Sequence, residues 1–207
     1  MVCNILESRK KRVVVVGGGT SSHKRIIIKD RSAKIIKKST LLPDLGAIFD
    51  KHVKHEFVDH DVEATMKTMV KEPYVHNVAT LSGGRGYRGV YDFYKNHFVG
   101  KMPPDTKLTR ISRTVGKNQV VDELILSFTH DREIDFMLPG IQPTGRFVEL
   151  PHVVIMKFKG KKIAHEHIYW DQGSLLAQVG LLDPKRVPVV AAEQSRELQA
   201  LSKGFKP

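Results

Sequence analysis

The sequence is poor in the residues and motifs on which several kinds of protein chemistry depend. Cys3 is the only cysteine among 207 residues, which excludes a disulfide within the chain and is typical of a reducing compartment. No apolar run approaches the ~18 residues that a membrane-spanning helix needs. There is no G-x-S-x-G turn and no H-E-x-x-H helix, the signatures of serine hydrolases and zinc proteases. We therefore expect a cytoplasmic protein without a membrane partner.

Acidic residues are scarce in the first part of the chain. Residues 1–43 contain eleven Lys or Arg and only two acids, so they carry +9 of the formal net charge of +12. The remaining residues are nearly balanced, and binding of nucleic acid by the main domain is not expected. We predict that residues 1–43 form a basic, flexible extension. "RKKR" at 9–12 is compatible with a nuclear address, and a tether to nucleic acid or an acidic membrane surface is an alternative.

A glycine turn in this extension resembles the start of a nucleotide-binding unit. Val13–Val16 leads into Gly17–Gly19, which matches the first two glycines of a G-x-G-x-x-G loop. The third glycine position is Ser22, and no helical stripe follows. The β-branched runs instead predict either a disordered segment or a loosely attached β-hairpin.

From Asp44 onward, helical periodicity comes first and strand periodicity later. This order indicates an α+β fold: a cone-shaped, curved antiparallel sheet with helices packed on its concave side, enclosing a small-molecule pocket. The predicted helices cover 45–57, 62–70 (stopped by Pro73), 87–98, 172–182 and 193–201, and the predicted strands cover 74–81, 107–114, 119–130, 146–158 and 162–171, with "SGGRG" at 82–86 as a loop.

The last predicted strand, "HEHIYWD" at 165–171, concentrates groups that exchange protons. Strand alternation puts His165, His167, Tyr169 and Asp171 on one face, and Ala164, Glu166, Ile168 and Trp170 on the other. The polar face is either exposed to solvent or forms a pocket wall on which a carboxylate of raised pKa works with a histidine. Metal binding is the less favoured alternative use of His165, His167 and Asp171: the H-x-H pair would place two imidazoles near one ion, with His152 or His130 as a third ligand, and we expect no metal.

Three stretches carry a family resemblance. "DQGSLLAQVGLL" at 171–182 has the form D-x-x-x-L-L-x-Q-x-G and resembles the end of SnoaL-like polyketide cyclases, members of the nuclear transport factor two-like superfamily. "PTGR" at 143–146 precedes the penultimate strand, as it often does in that family. Residues 57–98 look like the helical half of a SnoaL-like branch found beside carboxymethylenebutenolidases. The resemblance covers a domain at 44–184 and leaves a tail at 185–207 with a short helix.

The resemblance implies the cone fold, often a homodimer packed through the sheet, and acid/base chemistry without metal or organic cofactor. Cyclases of this family use an aspartate as general acid/base in an intramolecular aldol closure, and Asp171 occupies that position. They also use a histidine on an adjoining strand. No histidine stands at the expected spacing here, so His130, His152 and His167 are the candidates.

These observations predict a cofactor-independent acid/base enzyme, a cyclase, isomerase, lyase or lactone-related hydrolase, acting on a small carbonyl-containing substrate. The alternative is a non-catalytic module of the same fold that binds a small ligand or dimerises. Asp171 is the expected proton-transferring group, with His167 as relay, Tyr169 as donor to an enolate oxygen and His130 at the pocket rim. The expected substrate-binding residues are His76, Asn77, Tyr91, Tyr94, His152 and Trp170.

Overall fold

The computed structural model describes residues 12–15, 26–29 and 43–204, and the chain divides between residues 42 and 43 into two units. In the first unit, β1 (Arg12–Val15) pairs antiparallel with β2 (Ile26–Lys29). The β-branched runs therefore form a hairpin, one of the two structures that the sequence left open. The glycine turn and the predicted flexibility of the extension lie outside the described residues.

The second unit consists of helices and a sheet, in the order that the sequence predicts. Its helices are α1 (Leu45–Phe57), α2 (Val62–Lys67), α3 (Gly86–Phe93), which a π-helical turn continues over Tyr94–Phe98, α4 (Gln172–Gln178) and α5 (Glu193–Gly204). Its strands are β3 (Met69–Asn77), β4 (Ser82–Arg85), β5 (Lys107–Val115), β6 (Gln119–Thr129), β7 (Phe147–Lys159) and β8 (Lys162–Trp170).

The six strands form one curved, unclosed sheet in the order β4-β3-β8-β7-β6-β5. All neighbours pair antiparallel except β3 and β8, which are parallel. Register shifts interrupt the β3–β8, β5–β6 and β7–β8 pairings, and such irregularities bend strands. The predicted α+β cone is therefore confirmed, with one parallel pairing that the sequence pattern did not indicate.

The predicted end of the helix that precedes β3 is wrong. Helix α2 ends at Lys67, and Pro73 lies inside β3 rather than stopping a helix, at the register shift between Met69 and Tyr74. A proline is accommodated at such an irregularity because the ladder is already interrupted there.

The predicted glycine loop at 82–86 is the short strand β4, which packs closely against the backbone around it. A Cβ on Gly83 would lie 2.1 Å from the Val75 carbonyl oxygen, and one on Gly84 would lie 2.1 Å from the Gly89 carbonyl oxygen. The glycines thus allow close backbone approach rather than a free turn.

The helices in the first half of this unit pack on one face of the sheet. Asp44 and Asp61 cap α1 and α2 by accepting from the backbone N–H groups of Ala47 and Ala64. Phe49 of α1 belongs to the same buried apolar cluster as residues of β6, β7 and β8. Among the described residues, no helix has both the length and the apolar composition needed to cross a membrane.

Candidate functional site

A cavity of about 360 Å³ lies between the helices and the inner face of the sheet. This volume falls in the range of small-molecule sites. Most of its lining is apolar or aromatic, as with Phe49, Phe93, Leu124, Val154 and Ile168. The polar side chains in the lining are Asp50, Glu56, Asn77, Tyr94, Arg110, Asp122, His152 and Glu166.

The face of β8 that lines the cavity is the one with the single acid. Glu166, Ile168 and Trp170 line it, whereas His167 and Tyr169 do not. The predicted alternation is present, but the helices cover the opposite face from the one on which we placed the chemistry. The expectation that the His/Tyr/Asp face forms the pocket wall is therefore corrected.

Four side chains from three regions of the chain meet at the cavity as a buried cluster: His52, Glu56, Tyr94 and Glu166. The Nε2 atom of His52 lies 3.1 Å from Glu56 Oε1 and 3.0 Å from Glu166 Oε1. The Tyr94 hydroxyl donates to Glu166 Oε1 at 2.7 Å and lies 3.2 Å from His52 Nε2. None of the four is more than 5% exposed.

Local structure explains how these residues come together. His52 and Glu56 are four residues apart on α1, so they share one helix face. Tyr94 begins the π-helical turn, a rare feature that is frequent at functional sites. Glu166 stands in the middle of β8.

A threonine fixes the orientation of the His52 ring. The Nδ1 atom lies 2.5 Å from Thr68 Oγ1, and that hydroxyl donates to the Thr65 carbonyl oxygen at 2.6 Å. A hydroxyl has a single hydrogen, so Thr68 must accept from Nδ1–H of His52. Nε2 is therefore the atom that faces the carboxyl groups.

Three side chains of the buried cluster, His52, Glu56 and Tyr94, have raised pKa values. Burial alone would lower the pKa of His52, but the charges of Glu56 and Glu166 override it and raise the pKa to about 10. Burial raises the pKa of Glu56, against the opposing effect of His52. Burial and the neighbouring Glu166 raise the pKa of Tyr94 well above its usual value. At neutral pH the cluster thus contains the His52 imidazolium and the neutral Tyr94 hydroxyl beside the two carboxyl groups.

The same cluster contains the side chains that would hold a metal ion. Ligand atoms of His52, Glu56 and Glu166 lie within 4.8 Å of one another, and in the described part of the chain no other group of three does so. One imidazole and two carboxylates suit a zinc-like divalent cation. Metal-binding histidines commonly donate their second ring N–H to an oxygen, as His52 does to Thr68.

A second polar group on the cavity wall is an ion-pair network. Asp122 is buried, and its two carboxylate oxygens accept from Arg113 at 2.5 and 2.6 Å. Arg113 also donates to Asp50, which accepts from Arg110 as well. The hydrogen bonds that Arg113 donates to Asp122 raise the pKa of Arg113, so the guanidinium remains charged. The charges of Arg113 and Asp122 compensate each other. We therefore assign this pair a structural role in holding Asp122 in the cavity wall.

Two further cavity-lining side chains, Asn77 and His152, each have a polar atom that makes no hydrogen bond to the described residues. Asn77 is 2% exposed, and its Nδ2 has no hydrogen-bond partner among the described residues. Leaving a buried donor unpaired costs about 1–3 kcal/mol. His152 has Nδ1 within 3.1 Å of the Leu150 carbonyl oxygen and stacks on Trp170. Burial lowers the pKa of His152 to about 4, so its ring is neutral.

The predicted catalytic residues lie outside the cavity lining. Asp171 caps α4, because its Oδ1 accepts from the backbone N–H groups of Gly173 and Ser174. His167 contacts the Tyr74 hydroxyl at 3.0 Å, and Tyr169 is 42% exposed. His130 is fully buried beside Thr144 at the end of β6.

The predicted substrate-binding residues divide into two groups. Asn77, Tyr94, His152 and Trp170 line the cavity, whereas His76 and Tyr91 do not. The His76 ring lies edge-on to the His167 ring, and Tyr91 stacks on Tyr87. Sequence reasoning missed His52, Glu56 and Glu166 as a group. The available signal was the presence of two polar residues on the apolar stripe of α1.

No protein-family model matches the sequence, and no curated protein matches it. Solved structures do resemble the fold. A protein with a ketosteroid isomerase-like fold from Catenulispora acidiphila, in complex with trimethylamine, is 14% identical with a TM-score of 0.52, over 71% of this chain and 99% of its own. A protein classed as a SnoaL-like polyketide cyclase, from Jannaschia sp. CCS1, is 14% identical with a TM-score of 0.54, over 68% and 97%.

AclR from Streptomyces galilaeus, classed as a hydroxylase, is 19% identical with a TM-score of 0.52, over 67% of this chain and 96% of its own. A nuclear transport factor 2-like protein from Burkholderia pseudomallei is 10% identical with a TM-score of 0.52, over 67% and 99%. At these identities the likeness concerns the fold alone. The chain therefore has the cone fold of SnoaL-like, ketosteroid isomerase-like and nuclear transport factor 2-like proteins, as the sequence resemblance implied.

Proposed function

We propose that this protein is an acid/base enzyme that moves a proton to and from the carbon next to a carbonyl group in a small, largely apolar substrate. The observation that carries the proposal is the buried cluster of His52, Glu56, Tyr94 and Glu166 at an apolar cavity. Enolisation needs a base beside neutral hydrogen-bond donors in a site of low polarity, and the cluster supplies both.

Glu166 is the proposed base and Glu56 the proposed acid. Both line the cavity, and burial raises the pKa of Glu56, which shifts its carboxyl group toward the protonated form that an acid needs. In the first step the C–H bond breaks, the proton goes to Glu166 and the electron pair moves onto the carbonyl oxygen. Return of a proton to the same carbon, or to a conjugated one, completes exchange or isomerisation.

Tyr94 and His52 have supporting roles in this proposal. The raised pKa of Tyr94 keeps its hydroxyl protonated, and its single hydrogen is donated to Glu166 Oε1 before the reaction. Once Glu166 has taken up the substrate's proton, this hydroxyl turns to donate to the enolate oxygen. His52 does not line the cavity and acts as a positioning residue. Its positive charge stabilises the Glu166 carboxylate, and its bond to Thr68 holds the ring in place.

Deuterium incorporation tests the proposal without knowledge of the natural substrate. We expect the protein, in deuterium oxide, to speed the uptake of deuterium next to the carbonyl of at least one compound among 2-tetralones, acetophenones, β-keto aromatic esters and dienelactones, followed by mass spectrometry. Val154→Phe should abolish this activity because Val154 lines the cavity. Val153→Phe, on the other face of β7, is the matched control and should retain it.

Two results would contradict the proposal. Exchange that persists in Val154→Phe would place the chemistry outside the cavity. Saturable binding of these compounds without exchange would favour the alternative, a non-catalytic binding module of the same fold.

A divalent cation is the second candidate occupant, favoured by the convergence of His52, Glu56 and Glu166. The acid/base proposal expects exchange to be unchanged by a chelator. Retention of one equivalent of Zn²⁺ through gel filtration, with loss of exchange after chelation and recovery on adding Zn²⁺, would favour the metal instead.

A further inference from the structure

We propose that the substrate is a hydroxy-carbonyl compound of about bicyclic size, whose carbonyl oxygen is bound by the Asn77 amide and whose hydroxyl is bound by Nε2 of His152. This inference deepens the proposed function, on which its catalytic meaning rests, by naming the chemical class of substrate. It rests on two cavity-lining residues: Asn77, whose Nδ2 has no hydrogen-bond partner among the described residues, and His152, whose ring makes its hydrogen bond through Nδ1.

Asn77 provides the donor. Its side chain lines the cavity, and among the described residues its Nδ2 has no hydrogen-bond partner. An amide nitrogen can only donate, so the group that satisfies it must be an acceptor. A carbonyl oxygen meets this need, and its electron density increases as the adjacent carbon loses a proton, which strengthens the bond.

His152 provides the acceptor. Its Nδ1 lies 3.1 Å from the Leu150 carbonyl oxygen, which can only accept, so Nδ1 carries the hydrogen. The ring is buried, no carboxylate of the described part of the chain pairs with it, and it remains neutral. Nε2 therefore presents a lone pair, which calls for a donor such as a hydroxyl group.

The sheet register fixes how far apart the two polar groups stand. Asn77 on β3 pairs with Ile168 of β8, and Trp170, two residues further along β8, pairs with His152 of β7. The Cα atoms of Asn77 and His152 are therefore two strand spacings apart across the sheet and two residues apart along the strand direction. These two offsets together give a separation of roughly 12 Å. Ile168 and Val154 line the cavity between them, so the ligand has an apolar body with a polar group at each end.

Four naphthalene probes test this arrangement. 6-Hydroxy-2-acetylnaphthalene carries both polar groups, 2-acetylnaphthalene only the carbonyl, 2-naphthol only the hydroxyl, and 2-ethylnaphthalene neither. We expect the protein to bind the first at least tenfold more tightly than the second or the third, as each hydrogen bond contributes about tenfold when the alternative is an unpaired buried group. Dissociation constants are measured by isothermal titration calorimetry.

Two variants, each with a side chain of similar volume to the one it replaces, test which residue binds the carbonyl group and which binds the hydroxyl group. Asn77→Leu should weaken binding of the two carbonyl probes about tenfold and leave 2-naphthol and 2-ethylnaphthalene unchanged. His152→Phe should weaken only the two hydroxyl probes. Asn77→Asp and His152→Gln repeat the test if either first variant fails to fold. Equal binding of all four probes by the wild type, or equal weakening of all four by a variant, would overturn the inference.

Probe binding tests this inference and deuterium exchange tests the proposed function, so the two measurements distinguish which of the two is wrong. Probe selectivity that persists in a protein without deuterium exchange would overturn the proposed function but not the two contacts. Exchange of 2-acetylnaphthalene that is insensitive to Asn77→Leu, together with loss of probe selectivity, would overturn this inference and leave the proposed function intact.

Discussion

Replacing His52 by leucine should lower the free energy of unfolding by about 3–5 kcal/mol, because it leaves two buried carboxyl groups without their cation. Glu56 and Glu166 both lie close to His52 Nε2, and all three side chains are almost completely buried. Chemical denaturation at pH 7 measures the loss. His55→Leu is the matched control on the same helix. Within the described ranges His55 pairs with Asp59 alone, whose side chain is 30% exposed, so this change should cost under about 1 kcal/mol.

The pH dependence of stability gives this prediction a second readout. His52 has a pKa raised to about 10 in the folded protein, above its ordinary value of 6.5. The folded protein therefore holds a proton that the unfolded chain releases, so stability is fully present below pH 6.5 and is lost as the pH rises to about 10. His52→Leu should lack this decline. Equal losses in His52→Leu and His55→Leu, or an unchanged alkaline decline, would contradict the role of His52.

Glu166→Gln should lower the rate of deuterium exchange by about 10²–10⁴-fold, the usual contribution of a general base. Glutamine has nearly the same shape as glutamate, and its carbonyl oxygen still accepts from Tyr94. The loss therefore reports the missing base rather than a collapsed cavity. Glu123→Gln on β6 is the matched control, because Glu123 contacts Ser112 and is not part of the cavity lining.

Asp171→Asn compares the two candidate bases directly. Asparagine also caps helices well, so α4 keeps its capping interaction, and Asp171 is outside the cavity lining. We expect the exchange rate to stay within about twofold of the wild type, far from the loss expected of a general base. A large loss in Asp171→Asn together with activity in Glu166→Gln would identify Asp171 as the base, as the family resemblance implied.

The elements with regular periodicity were predictable from sequence. The apolar stripe of α1 and the alternation in β5 to β8 indicated those elements to within a few residues, because each signal repeats several times. The region around β3 and β4 was not predictable in the same way. Pro73 and Gly83 normally end an element, whereas here a register shift and close backbone contacts accommodate them.

The site was only partly predictable for a different physical reason. Alternation in β8 separates Glu166 from His167, but it does not say which face the helices cover. Choosing the face with more polar groups led to Asp171, while the covered face carries a single buried acid. His52 and Glu166 meet only through tertiary packing, which periodicity along either element cannot reveal.

Several expectations from sequence stay predictions. These are the homodimer packed through the sheet, the cytoplasmic location, the absence of nucleic-acid and cofactor partners, and the role of the basic extension at residues 1–43.

Titration of His52 is the most direct test of the proposed site, since the proposed chemistry depends on a positively charged His52 beside Glu56 and Glu166. Histidine labelled with ¹³C and ¹⁵N allows its protonation to be followed by nuclear magnetic resonance, with the His52→Leu spectrum identifying the signal. We predict that both ring nitrogens remain protonated through neutral pH and that the pKa of His52 is about 10. A His52 that titrates near its ordinary pKa of 6.5, or that is neutral at pH 7, would contradict the account.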